Sequence, residues 1–240
     1  MSPVARAMLF TLPAVAVAAG AGTVAVWRKP GPQLTSAIQH LAAGIVFAAA
    51  SLELLPKERH EAAVPVVLGF TLGLALMIVI RYVARRFEER ERGAAFPIGL
   101  LVVTGVDLLI DGIVLGIGFA AGDQTGLLLG VALTLEVLFL SLAVSSAMND
   151  ARIGKLGAAV APAGLALTLT VGTGVSRYLF ADLSPFAFAI LLGIGLVALL
   201  YLVTEELLVE AHEVEETVWT TSAFFAGFLL FLLLEMWVEG

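Results

Sequence analysis

The chain contains no cysteine. Disulfides, thiolate metal ligands and cysteine nucleophiles are therefore excluded together, and any metal handled here must be held by oxygen or imidazole. Charge is also scarce. Only 14% of the 240 residues are charged and 60% are hydrophobic, against about 25% and about 45 to 50% in soluble domains. That balance excludes a water-soluble single domain. Bases are the scarcer sign, 13 Lys+Arg against 20 Asp+Glu. No basic tract interleaved with aromatics offers a track for a phosphate backbone, so nucleic acid is not expected as a partner.

What is present is a series of apolar segments, each near the roughly 20 residues needed to cross a bilayer. The spacing predicts eight helices in one transmembrane domain, residues 1–240, at 4–27, 35–55, 63–84, 96–121, 126–148, 157–179, 184–208 and 218–238. Breaks fall at Lys29-Pro30-Gly31-Pro32, Pro56-Lys57, Gly122-Asp123-Gln124 and Leu183-Ser184-Pro185. Ala16-Val17-Ala18 resembles a processing site. The basic residues Arg28 and Lys29 follow that first apolar run, the reverse of a signal peptide's order, so it is read as a span. Gly112, Gly116, Gly118, Gly193 and Gly195 lie on helices and are read as sites of close helix packing.

Basic residues orient the chain. Arg28, Lys29, Arg81, Arg85, Arg86, Arg90, Arg92, Arg152 and Lys155 fall on one side, and Arg6, Lys57, Arg59 and Arg177 on the other. Both termini are then expected outside, in a plasma or inner membrane, with the Arg-rich third loop in the cytoplasm.

An ionisable group deep in a membrane helix costs several kcal/mol and usually marks a pathway or site. Asp107 and Asp111 lie midway along the fourth helix at i, i+4, one turn apart on one face. Glu136 lies midway along the fifth, which the short connection makes a neighbour. No Lys or Arg lies inside either helix, so a cation or shared protons must neutralise the three. Protonated carboxyls bonding between helices, or a proton relay, remain open alternatives. Glu53 near the outer end of the second helix reads as a ligand or as a snorkelling edge residue. His60 and Glu61 follow it at the outer mouth. At the cytoplasmic end of the seventh helix, Glu205, Glu206, Glu210, His212, Glu213, Glu215 and Glu216 form an acidic run, either a solvated face or a cation exit. In order of depth these acids form a ladder suited to a hard cation.

The same segments resemble the ZIP family of divalent metal transporters. HLAAGIVFAAASLELLP, from His40 to Pro56, looks like that family's second helix with its AAG opening and LLP close. DLLIDGIVLGIGFAAG, from Asp107 to Gly122, is similar to its HNxPEG-type motif and glycine-patterned helix. LLYLVTEELLVEAHE, from Leu199 to Glu213, resembles its tyrosine-containing helix with a PEAH-like tail. Asp107 stands where the family motif has His, Leu108 replaces Asn and Ile110 replaces Pro, while Asp111 keeps the acid. Matching SLAV at Ser141 to the family's GLAV sets Glu136 at the first position of an HExPEG-like pattern and Leu140 at its second carboxylate. The sixth helix has no acid where many members carry one.

The resemblance implies an all-α polytopic membrane protein, a ZIP-like inverted-repeat (3+2+3) bundle. It implies inward movement of Zn²⁺, Fe²⁺ or Mn²⁺ as cargo, with no resident cofactor. The altered motifs leave one mononuclear site of Asp107, Asp111 and Glu136, with Glu53 as a fourth contributor. Glu205, Glu206, Glu210 and His212 are then expected at the exit, and His60 and Glu61 at the outer mouth. All-oxygen ligation favours hard ions. Beyond the cation and the bilayer, a homodimer partner is left open. A non-transporting ZIP-like sensor or assembly protein is one alternative. An intramembrane aspartyl hydrolase is another, disfavoured because Asp107 and Asp111 share a helix.

Overall fold

A computed structural model describes residues 2–28, 30–91, 96–215 and 217–239. Lys29, Arg92 and Glu216 of the charge runs, and the Arg90 side chain, lie outside the described part. The described residues form helices and connections, with no strand among them. Among the described residues eight helices are long and apolar enough to span a membrane, which makes this a membrane-embedded protein. They are α1 (Pro3–Trp27), α2 (Pro32–Glu58), α3 (Ala63–Phe87, helical on to Glu91), α4 (Ile98–Ala121), α5 (Asp123–Asp150), α6 (Lys155–Leu179), α7 (Pro185–Ala211) and α8 (Val218–Val238).

The expected helices are all present, with ends shifted by a few residues where capping chemistry decides. Pro97 stands at the cap of α4 and delays its start to Ile98. Pro32 and Pro185 open α2 and α7, where a missing N–H has no consequence. Gly122 is the whole connection between α4 and α5. Two departures inside helices were not expected. In α1 the helix stops at Leu9 and restarts at Leu12, because Pro13 cannot donate to a carbonyl one turn back. There the Thr11 hydroxyl lies 2.7 Å from the Met8 carbonyl and 2.6 Å from the Thr170 hydroxyl on α6. In α2 and α7 the ladder widens into π-helical segments at Ala50–Leu54 and Leu202–Leu207. Leu55 N–H donates to Ala50 and Leu208 N–H to Val203, five residues back in each case. Pro56 accounts for the first by removing an amide donor; α7 has no local breaker.

The helices α2, α5 and α7 form the centre, with 67%, 61% and 56% of their spanning windows buried, whereas α3 and α8 have 22% and 11% and lie at the periphery. The main packing pairs are α4 on α6, α2 on α8, α3 on α7, α1 on both α5 and α6, and α4 on α5, with α5 also meeting α2. Glycines set the closest of these. A Cβ on Gly112 would come within 3.0 Å of the Gly172 Cα on α6, one on Gly69 would come within 2.7 Å of the Ile190 carbonyl on α7, and one on Gly44 would sit 3.0 Å from the Phe228 amide on α8. Small residues permit this backbone approach, which association in lipid relies on. Gly116, Gly118 and Gly193 pack equally closely, but Gly195 has its nearest neighbour at 3.6 Å and needs no special room.

Candidate cation site

Helix α4 presents two faces. Gly112 and Gly116 hold one against Leu169, Gly172 and Thr173 of α6. Roughly 100° per residue around the helix, Asp107 and Asp111 project from another. The one-residue hairpin at Gly122 brings α5 back alongside, and Gly118 against Leu129 and Gly126 against the Phe119 ring keep the two helices close. Glu136 is thereby delivered to the depth of Asp111.

Carboxylate oxygens of Asp107, Asp111 and Glu136 all lie within 4.8 Å of one another. Glu136 is fully buried and Asp111 nearly so, at 0% and 4% exposure, while Asp107 is half-buried. Both Glu136 oxygens and Asp111 Oδ2 are buried with no hydrogen-bond partner. Among the described residues no Lys, Arg or His forms an ion pair with any of the three. At an effective dielectric of about 20, each ionised pair at that separation would repel by about 3.5 kcal/mol. Three ionised carboxylates cannot stand together without a cation or protons. The triangle suits an ion: with sides of at most 4.8 Å its centre is at most about 2.8 Å from each corner, close to the oxygen distances of hard divalent cations.

Glu206 of α7 faces this triad and acts electrostatically on all three members, approaching Asp107 most closely. Asp107 and Glu206 line one cavity of about 230 Å³ between α3, α4 and α7, whose other walls are apolar except for Arg81. Sequence reading put Glu206 in the exit run; the structure sets it beside the triad. Its neighbour Glu205 turns away, into a groove between α3 and α7 lined by Phe70, Leu74 and Tyr201. The π-helical turn through Leu202–Leu207 carries both acids.

Glu53 is buried, at 6% exposure, on the π-helical turn of α2, and it is not among the side chains that converge. His60 and Glu61 are exposed in the turn after α2 and are not part of the convergent group. Glu210 and His212 are exposed at the far end of α7, where Glu210 accepts from the Gln39 amide at 3.0 Å and His212 meets the His40 ring edge-on at 5.3 Å.

Three participants escaped sequence reading. His40 is buried with Nε2 unpartnered, while Nδ1 lies 2.9 Å from the Ser36 carbonyl; its place inside the AAG-type segment was visible, but its facing His212 was not. Glu58 is 1% exposed with both oxygens unpartnered, and its Oε1 would lie 2.7 Å from a Cβ on Gly193. Its position beside Lys57 and Arg59 gave it the look of a loop residue. Arg81, counted with the third loop, lies inside α3 and reaches Glu206. Comparison with family models and with curated proteins finds no match to the chain.

Proposed function

We propose that the protein is a ZIP-like transporter that moves a divalent metal cation towards the cytoplasm through the carboxylate site at Asp107, Asp111 and Glu136. The observation that carries this reading is the convergence of three carboxylates from α4 and α5 within 4.8 Å, largely buried, with no basic partner among the described residues. Such a set holds a hard cation best, so Mn²⁺, Fe²⁺ and Mg²⁺ fit it more naturally than a strict preference for Zn²⁺ or Cu²⁺. Glu58 and Glu53 mark the approach from the outer end along α2. Glu206 receives the ion from Asp107, and Glu210 with His212 and His40 leads it to the cytoplasmic end.

The packing pattern supports an inverted 3+2+3 arrangement. Exchanging α1 with α6, α2 with α7, α3 with α8 and α4 with α5 turns α4 on α6 into α5 on α1, and α2 on α8 into α7 on α3, all of which are observed pairs. Repeats of that kind place the substrate at their interface near the midplane and work by moving one bundle against the other.

Uptake of Mn²⁺ into proteoliposomes tests the reading. The wild-type chain should accumulate the ion, and Asp111→Ala should fall to the protein-free background while remaining folded. Equal background in both would overturn transport. Mn²⁺ binding without uptake would favour a non-transporting metal sensor.

A further inference from the structure

Among the described residues the three carboxylates have no basic partner, but the acid beside them does. Arg81 stands within the span of α3, and its Nη1 lies 3.4 Å from Glu206 Oε1. Its Nη2 donates to the Glu205 carbonyl at 3.3 Å, and its Nε is buried with no hydrogen-bond partner. A guanidinium fixed for structure usually grips a carboxylate through two short bonds of about 2.7 to 2.9 Å. Here the grip is a single long one, with one donor unmatched. The cavity of about 230 Å³ that Arg81 shares with Asp107 and Glu206 leaves room for the side chain to move, and its apolar walls weaken screening. The groups that act on Glu206 include Arg81 from α3, Asp107 and Asp111 from α4, Glu136 from α5, and Tyr201, Glu205 and Glu210 on α7 itself. Among the described residues, Arg81 is the cation paired with Glu206.

We propose that the Arg81 guanidinium is a tethered cation that competes with the transported ion for the Glu206 carboxylate, and so sets how readily the site releases its cargo. This rests on the transport reading and adds a regulator to it. When a divalent ion reaches Asp107, Glu206 turns from Arg81 towards it. When Arg81 retakes Glu206, the ion loses a ligand and moves on.

Mn²⁺ affinity and release rate, measured on the full chain in nanodiscs, test the competition. Arg81→Gln should bind Mn²⁺ about fivefold more tightly, the equivalent of a partly exposed ion pair, and release it more slowly. Arg81→Lys, which keeps the charge, should stay within about twofold of wild type. A merely structural Arg81 would weaken binding when replaced, so unchanged or weaker binding in folded Arg81→Gln overturns the proposal. Where that variant fails to fold, the wild-type chain decides: the Arg81 Nε resonance should shift on addition of Cd²⁺, and a resonance that stays fixed while Cd²⁺ binds overturns it. Wild-type protein that binds neither ion overturns the transport reading together with this one. Wild-type binding with no response at Arg81 overturns this one alone.

Discussion

Helices α2 and α7 are built alike and used differently. Each runs 27 residues, opens on a proline, widens into a π-helical turn carrying acid and closes with four α-helical residues. Each also packs through glycine against a peripheral helix, α2 on α8 at Gly44 and α7 on α3 at Gly193. The acids diverge. Glu53 is buried on α2 apart from the triad, while Glu206 on α7 faces Asp107 and is paired with Arg81. The shared backbone device turns an acid inward on both helices, but only the α7 side adds a basic side chain and a cavity connecting with Asp107. The design these two helices share fixes where a carboxylate can stand, and its neighbours decide what it does.

The largest expected effect on this contrast is in pH dependence. Protons compete with a metal for carboxylates, so lowering pH from about 8 to 5 should weaken Mn²⁺ binding, by up to about tenfold per pH unit for each proton displaced. Glu206→Gln should make that dependence shallower, because one competing carboxylate is gone, and Glu53→Gln should leave its slope unchanged. A flat response in the wild type would show that carboxylates do not form the site. Next in size, Glu206→Gln should weaken Mn²⁺ binding at neutral pH by about tenfold, the lower end for losing a group that supports metal ligands, while Glu53→Gln stays within about twofold. Equal losses in titration calorimetry would erase the distinction between the two helices. Smallest is the test of what they share: Gly44→Val and Gly193→Val should each cost about 1 to 3 kcal/mol by overpacking, read from thermal unfolding in detergent. Gly195→Ala, with 3.6 Å of clearance, should stay within about 0.5 kcal/mol.

Much of this was legible in the residues. Lipid demands long apolar runs, so all eight helices can be read directly, and the i, i+4 spacing of Asp107 and Asp111 with a short link to Glu136 predicts their meeting. The departures have local causes that periodicity cannot carry. Consecutive helical residues point roughly 100° apart, so Glu205 and Glu206 line different cavities, and only Glu206 shares one with Asp107. Arg81 looked like part of a basic loop because the run from Arg85 follows it, yet α3 extends through both. Glu58 was hidden between two bases, and its burial depends on Gly193, more than a hundred residues away. At Asp107 the residues do not follow the ZIP-type motif, and what marks the site there is the convergence of Asp107, Asp111 and Glu136.

Anomalous diffraction from crystals soaked in Mn²⁺ tests the central claim most directly. The account predicts one peak within bonding distance of the carboxylate oxygens of Asp107, Asp111 and Glu136, at about 2.0 to 2.6 Å for oxygen ligands of hard cations. No peak there, with the three carboxyls hydrogen-bonded to one another through shared protons, would contradict it.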